Sequence, residues 1–156
     1  PAGGTGRYDF DGRRQLAAMA IIASVSGEER PDRVVSVARD LADAFDDDLV
    51  VLHVMPQAEF ERRKSEREYY VDEAAEDAAR TAEWVVSGTV EDGSGVTYEG
   101  RVGEPAAAIE EVAEDLEARY LVMGGRKRTP VGKAVFGSVT QSVLMNADSP
   151  VVTVID

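Results

Sequence analysis

Hydrophobic residues follow two alternating patterns along the chain from residue 19 onward. Short continuous apolar runs, typical of strands buried on both faces of a sheet, occur four times, and a fifth segment, residues 96–102, alternates as a strand nearer a sheet edge does. The longer segments between them carry apolar residues at every third or fourth position, as on one face of a helix. The predicted strands are residues 19–25, 49–55, 96–102, 120–123 and 151–155. This alternation predicts one α/β domain, a three-layer α/β/α sandwich around a five-stranded parallel sheet of the doubly wound, Rossmann-like type.

The helices between these strands are predicted from the same pattern. The first has Pro31 in its opening turn, where proline is well tolerated, and a single long helix is predicted over about residues 61–87. A third opens at Gly103-Glu-Pro105, and the last runs from Ser138 to about Asn146. Doubly wound sheets bind ligands beyond the carboxyl ends of their strands, where the strand order reverses, so that is where we expect a site.

Charge and composition narrow the classes of function. Thirty acidic residues against 17 basic ones give a formal net charge of −13, a field that disfavours binding to nucleic acid or to anionic membranes. With only three lysines, this acidic, lysine-poor composition suggests a halophilic cytoplasmic protein, because strong screening tolerates dense surface charge. An acidic protein from a low-salt cell is the alternative. The absence of cysteine excludes disulfides and thiolate metal sites, and the single histidine, His53, is predicted to be structural.

Residues 1–18 precede the first predicted element. Three glycines among the first six residues predict a flexible N-terminal tail, either natural or left over from cloning. Arg13 and Arg14, followed by an apolar run, have the look of a twin-arginine export signal. Because the fold needs that apolar run as its first strand, we expect a cytoplasmic protein whose domain spans residues 19–156.

The segment after the fourth predicted strand carries the most chemical information. Gly124 and Gly125 leave the strand without side chains, so a ligand could approach the backbone closely. Gly137-Ser138 then opens a helix whose first amides and dipole attract anions. Four cationic residues lie between them, namely Arg126, Lys127, Arg128 and Lys133. The combination predicts a phosphate-binding loop, although an ordinary helix cap with a solvated basic loop has the same ingredients. Neither a P-loop nor a Gly-x-Gly-x-x-Gly motif is present.

This segment resembles the C-terminal signature of the universal stress protein family. The signature reads Gly-x2-Gly-x9-Gly-Ser/Thr, followed by a helix and a terminal Pro-Val-x-x-Val strand. Gly124, Gly137 and Ser138 stand at the required spacing, and Pro150-Val-Val-Thr-Val closes the segment. The resemblance continues back through Leu52-His-Val and Val102-Gly-Glu-Pro to about residue 19.

The resemblance implies a non-enzymatic, dimeric stress-response regulator that binds ATP, or another adenine nucleotide, with Mg²⁺. It also implies a homodimer formed through the last strand, between Val151 and Ile155, with protein partners that are unknown. The base would lie against Ala23, Ser24, Val25 and Val54, and the phosphates against Met123, Gly124, Lys127, Gly137, Ser138, Val139 and Thr140.

Two positions depart from the family pattern. Lys127 replaces the second glycine of the signature, and Val25 replaces the aspartate that nucleotide-binding members carry after the first strand. A lost polar contact of this kind is worth about 1–3 kcal/mol when buried. The alternative is therefore a structural or chaperone-like stress protein that keeps the fold and the dimer without a nucleotide. A slow nucleotide hydrolase is a third hypothesis, although no general base is evident.

Overall fold

A computed structural model describes residues 19–125 and 136–155 of the chain. Its strands and helices alternate, and the five strands form one parallel sheet in the order β3-β2-β1-β4-β5. The strands are β1 (Ala20–Ser24), β2 (Asp48–Pro56), β3 (Val96–Gly103), β4 (Ala118–Gly124) and β5 (Val151–Val154). The helices are α1 (Arg33–Phe45), α2 (Gln57–Glu66), α3 (Val71–Ser87), α4 (Pro105–Asp115) and α5 (Ser138–Asn146). The predicted three-layer, doubly wound α/β fold is confirmed.

Alternate residues of β1 point to opposite faces of the sheet and enter two separate cores. Ile21 and Ala23 pack with α1 and α3 on one face, whereas Ala20 and Ile22 pack with α4 and α5 on the other. Ile21, Ile22 and Ala23 are completely buried. Because each buried valine, leucine or isoleucine contributes about 1.5–3 kcal/mol, these two cores supply much of the driving force for folding.

The central position of β1 creates the point at which the strand order reverses. Its neighbours are β2 on one side and β4 on the other, so the chain first builds the sheet towards β3 and then towards β5. Ser24, the last residue of β1, lies beside Met123 near the end of β4. The carboxyl ends of β1 and β4 therefore flank the crevice in which such folds bind ligands. In the described part of the chain, no helix has the length and apolar character of a bilayer-spanning segment.

The single long helix predicted over residues 61–87 is wrong, because the chain forms α2 and α3 with an extended break between them. Phe60 and Tyr69 are both buried in one cluster, and their rings lie 5.7 Å apart. In a continuous helix, residues nine apart are separated by about two and a half turns and point to opposite sides. Burying both aromatic rings on one face therefore requires the chain to leave the helix before Tyr69.

The first helix also begins later than predicted, at Arg33 rather than at Pro31. The carboxylate of Asp32 accepts a hydrogen bond from the Val34 amide at 2.9 Å, which makes Asp32 the N-cap. Aspartate is among the preferred residues for this position because it satisfies an amide that has no partner within the helix. Pro31 therefore lies before the helix rather than in its first turn.

Gly100 in β3 allows α3 to lie unusually close to the sheet. A Cβ atom at this position would stand 1.9 Å from the Ala75 carbonyl oxygen and 2.6 Å from the Ala79 nitrogen. Both of these atoms belong to the backbone of α3, so neither could move aside as a side chain could. The packing of α3 on β3 thus depends on a residue with no side chain.

We expect Tyr69→Phe to lower the free energy of unfolding by about 1 kcal/mol at neutral pH, the usual worth of a buried hydrogen bond. The Tyr69 hydroxyl donates to Asp77, and this bond holds the pKa of Asp77 below its ordinary value. A depressed carboxyl pKa stabilises the fold above the ordinary value, and the contribution is lost as pH falls through the depressed value. The difference between variant and wild type should therefore shrink below about pH 4 in denaturant titrations.

Tyr70→Phe is the matched control, because Tyr70 is 58% exposed. Removing the Tyr70 hydroxyl should change the free energy of unfolding by less than about 0.5 kcal/mol at any pH. Equal losses in the two variants would show that the Tyr69 hydroxyl does not stabilise the junction between α2 and α3.

Candidate functional site

A cleft of about 1000 Å³ opens at the carboxyl edge of the sheet. Its walls include the ends of β1, β2 and β4 and the first turn of α5. The cleft therefore lies at the predicted place, where the strand order reverses. Eight of the eleven residues predicted to bind a nucleotide line it, namely Ser24, Val25, Val54, Met123, Gly124, Gly137, Val139 and Thr140.

The other three predicted residues are not among the described residues that line the cleft. Ala23 is completely buried, with its side chain in the core against α1 and α3. Ser138 is exposed as the first residue of α5 and is not among the residues that line the cleft. Lys127 lies outside the described residues.

The N-terminus of α5 has no side-chain cap. Gly137 occupies the N-cap position, and the first bond of the helix runs from the Gln141 amide to the Gly137 carbonyl at 2.9 Å. The amides of residues 138–140 have no partner within the helix. Asp32 and Glu104 cap α1 and α4 with their carboxylates, whereas α2 and α3 share with α5 the lack of a side-chain cap. As far as the described residues go, these amides and the positive dipole end of α5 are therefore open to an anion in the cleft.

Thr140 fastens this first turn to the sheet. Its hydroxyl donates to the Gly124 carbonyl at 2.9 Å, and the residue is 6% exposed. Thr140 was predicted to lie against the phosphates, but its hydroxyl proton is used within the protein. Thr140 sets the spacing between β4 and α5, a role that the sequence could not reveal because the partner is sixteen residues away.

We expect Thr140→Val, which keeps the shape and removes the hydroxyl, to lower the free energy of unfolding by about 1–2 kcal/mol. The loss arises because the Gly124 carbonyl is left without this donor. Thr97→Val, at an exposed position of β3, should change stability by less than about 0.5 kcal/mol. Urea unfolding of both variants checks the prediction, and equal stability of the Thr140 variant and wild type would contradict it.

Val25 offers no polar group to a ligand. Its amide donates to the Leu52 carbonyl at 2.9 Å, its carbonyl accepts from Nδ1 of His53 at 3.0 Å, and its side chain is 4% exposed within the core. The backbone therefore does not replace the carboxylate that the family pattern places here. Because a carbonyl can only accept, Nδ1 of His53 carries the proton. His53 has the structural contact predicted for it and also forms part of the cleft wall.

The turn after β1 needs glycine at position 27. The φ angle of Gly27 is +81°, which other residues rarely adopt. A Cβ atom there would lie 2.6 Å from Cγ2 of Thr81 and 3.1 Å from Cε1 of His53. The turn therefore packs tightly against β2 and α3, and this packing defines the end of the cleft remote from α5.

The loop that follows is held in place from α3. The Arg30 guanidinium lies 5.0 Å from the centre of the Trp84 ring and donates to the Ser87 hydroxyl at 3.2 Å. One residue beyond Pro31, the Asp32 amide donates to the Thr89 hydroxyl at 3.0 Å. These contacts fix the loop from outside the cleft, since Arg30, Trp84 and Ser87 do not line it.

Charged residues outside the eleven predicted nucleotide-binding residues also line the cleft. Glu28, Glu29 and Asp32 come from the loop after β1, Glu59 from α2, and Arg33 from the start of α1. Their positions just after β1 and β2 were the available signal, because loops at the carboxyl ends of strands form such sites. Among the described residues, no group of three or more His, Cys, Asp or Glu is placed to hold a metal ion.

Comparison with known proteins gives concordant matches. The model of the universal stress protein family matches residues 19–154. A universal stress protein of Mycolicibacterium smegmatis is 37% identical over 93 residues, covering 54% of this chain and 72% of that protein. The structure of an Archaeoglobus fulgidus universal stress protein has a TM-score of 0.60 and 27% identity, over 86% of this chain and 92% of the other. A universal stress protein in complex with cAMP has a TM-score of 0.54 and 22% identity, over 90% and 98%.

Proposed function

The chain belongs to the universal stress protein family, and on that premise we propose that it is a homodimeric stress-response regulator that binds ATP or another adenine nucleotide. The uncapped N-terminus of α5 beside the end of β4 carries the proposal. Amides without helical partners and the dipole of α5 favour a phosphate. Gly124 and Gly137 bring backbone rather than side chains to this wall of the cleft.

The remote end of the cleft suits a base and a ribose. Val25 gives it apolar surface on the α1 and α3 side of the sheet, and Ser26 and Thr81 bring hydroxyl groups, whereas Val54 lines the cleft from the face that packs against α4 and α5. The cleft volume of about 1000 Å³ is at the upper end of the range for small-molecule sites. A universal stress protein of the same fold that was solved in complex with cAMP adds support for an adenine nucleotide.

We infer that Mg²⁺ accompanies a bound triphosphate. The acidic wall formed by Glu28, Glu29 and Asp32 would repel bare phosphates, and a divalent cation reduces that repulsion. Magnesium usually keeps several waters and binds through phosphates and one or two carboxylates. Glu28 and Glu29 are the residues that could supply those carboxylates. Because the phosphates would provide the other ligands, the metal would bind together with the nucleotide.

The proposed homodimer uses the edge of the sheet at β5. The strand pairs with β4 on one side, and Val151, Val152 and Thr153 are only partly buried. The preceding helix α5 exposes Leu144 and Met145, the latter by 79%. Apolar edge strands favour pairing with another strand. Sedimentation velocity tests the proposal, because the chain has a mass of 16.8 kDa and a dimer would have twice that mass.

We propose that the protein acts by binding rather than by catalysis, in a salt-rich cytoplasm. The support for binding is that the cleft wall near α5 presents backbone amides and a hydroxyl already engaged by Gly124. The acidic, lysine-poor composition supports the location. Phosphate release from ATP that tracks the purified protein, and disappears in the proline variant described below, would instead establish a hydrolase.

A stress protein without a nucleotide is the second candidate, and Val25 favours it. Both backbone groups of this residue are paired and its side chain is in the core. The carboxylate contact of nucleotide-binding members is therefore missing. The two candidates differ in a measurable property, because only the first predicts that ATP stabilises the fold.

The first experiment combines mass spectrometry of the acid-denatured protein with thermal melts in ATP and Mg²⁺. A ligand at a hundred times its Kd stabilises a protein by about 2.7 kcal/mol, which here corresponds to a rise in Tm of about 5–10 °C. Co-purified adenine nucleotide, or such a rise, is expected. A protein with no nucleotide whose melting ignores ATP would favour the second candidate.

A proline variant connects the response to α5. Ser138→Pro removes one open amide at a helical position where proline is tolerated, and Gly137 has the extended ψ of 164° that suits a residue before proline. We expect the variant to fold and to bind ATP with about tenfold lower affinity. Val71→Pro is the matched control, because Val71 is the exposed first residue of α3, follows extended Tyr70 and does not line the cleft.

A further inference from the structure

Arg33 holds a distinctive position in the cleft. It is the first residue of α1, and it is the one lysine or arginine among the described residues that line the cleft. Four carboxylates share those walls with it, those of Glu28, Glu29, Asp32 and Glu59. An anionic ligand would therefore be drawn towards Arg33 and repelled by most of its charged surroundings.

The same side chain reaches the end of β5. Its Nη1 donates to the Ile155 carbonyl at 3.4 Å, across 122 residues of sequence. The preceding residue, Val154, lines the cleft, and its carbonyl accepts from the Gly125 amide at 2.8 Å. The end of the proposed dimer strand is thus joined to the cleft through Arg33 and through Gly125.

A phosphate would compete with Ile155 for the guanidinium. The bond from Arg33 to Ile155 is long, exposed and made to a neutral carbonyl, whereas an arginine–phosphate contact is charge-assisted and often bidentate. Resting on the proposed function, we propose that Arg33 contacts the phosphate of the bound nucleotide and releases Ile155 when it does so. Nucleotide binding then changes the tether at the end of β5, and by reciprocity the state of β5 changes nucleotide affinity.

Isothermal titration with adenosine, AMP and ATP tests the contact. Arg33→Ala should weaken AMP and ATP binding about tenfold, the usual effect of losing one charged hydrogen bond at a part-exposed site, and leave adenosine binding unchanged. Arg39→Ala is the matched control, because Arg39 lies on the same helix, pairs with Asp43 and does not line the cleft. It should bind all three ligands like wild type.

Hydrogen exchange of residues 151–155 tests the coupling. Saturating AMP should raise exchange there in wild type and in Arg39→Ala, whereas Arg33→Ala should already exchange faster without ligand and should not respond further. Unchanged AMP affinity in Arg33→Ala would overturn the contact, and an AMP response in that variant equal to wild type would overturn the coupling. If wild type binds none of the three ligands, the proposed function itself fails, an outcome distinct from both.

Discussion

Replacing Gly100 with alanine is expected to destabilise the fold by about 3 kcal/mol or more. The new methyl group would stand 1.9 Å from the Ala75 carbonyl oxygen, far inside van der Waals contact. Because the opposing atoms are helix backbone, the strain can be relieved only by moving α3 away from β3. That movement would open the cluster beneath α3, in which Ala74 and Ala78 are almost completely buried.

Equilibrium unfolding in urea measures this effect, and Gly93→Ala is the matched control. A Cβ atom at Gly93 would meet the Tyr98 hydroxyl at 3.2 Å, the end of a side chain that can shift. The control should therefore lose less than about 1 kcal/mol. A Gly100 variant as stable as the Gly93 variant would show that α3 can retreat from the sheet at little cost.

Gly27→Ala is expected to lower the free energy of unfolding by about 2–3 kcal/mol and to abolish the stabilisation by ATP that we propose. Two causes add, the left-handed backbone of the turn and the crowding against Thr81 and His53. The turn leads into the loop with Glu28, Glu29 and Asp32, so its displacement would reshape the cleft wall.

A double variant separates these two causes. Thr81→Ser removes the Cγ2 atom that stands 2.6 Å from the added methyl group, while keeping the hydroxyl that donates to the Asp77 carbonyl. In that background Gly27→Ala should lose about 1–2 kcal/mol, chiefly the cost of the backbone conformation, because only the contact with His53 at 3.1 Å remains. Urea unfolding and ATP-titrated melts of the four proteins provide the data. An ATP response that survives in Gly27→Ala would show that the loop tolerates the shift.

The inner strands were predictable because a strand buried on both faces leaves a continuous apolar run, and the edge strand β3 was predictable from its alternating pattern. The start of α5 at Ser138 was predictable as well, since glycine, which occupies the N-cap at position 137, is a favoured residue there. The break between α2 and α3 was not, because it depends on Tyr69 and Phe60 sharing one pocket. Such a requirement arises from tertiary packing, which overrides the helical propensity of the segment.

The location of the candidate site was likewise predictable from the sequence, whereas the contacts within it were not. The fold itself placed it at the ends of β1 and β4, and the residues flanking those ends line the cleft. The direction of the Ala23 side chain, towards the core, depends on the pleat of a strand in its sheet. The contacts of Arg33 with Ile155 and of Thr140 with Gly124 join residues that are far apart in the sequence, so no local sequence pattern predicts them.

Trp84 is the only tryptophan in the sequence, and its ring stacks on the arginine that holds the loop at the cleft. Because Trp84 is 46% exposed, its emission should respond to the presence or loss of the guanidinium beside it. The protein therefore carries its own fluorophore at the support of the cleft loop. Movement of that loop can be followed in real time, in unlabelled protein and at any salt concentration, by intrinsic fluorescence alone.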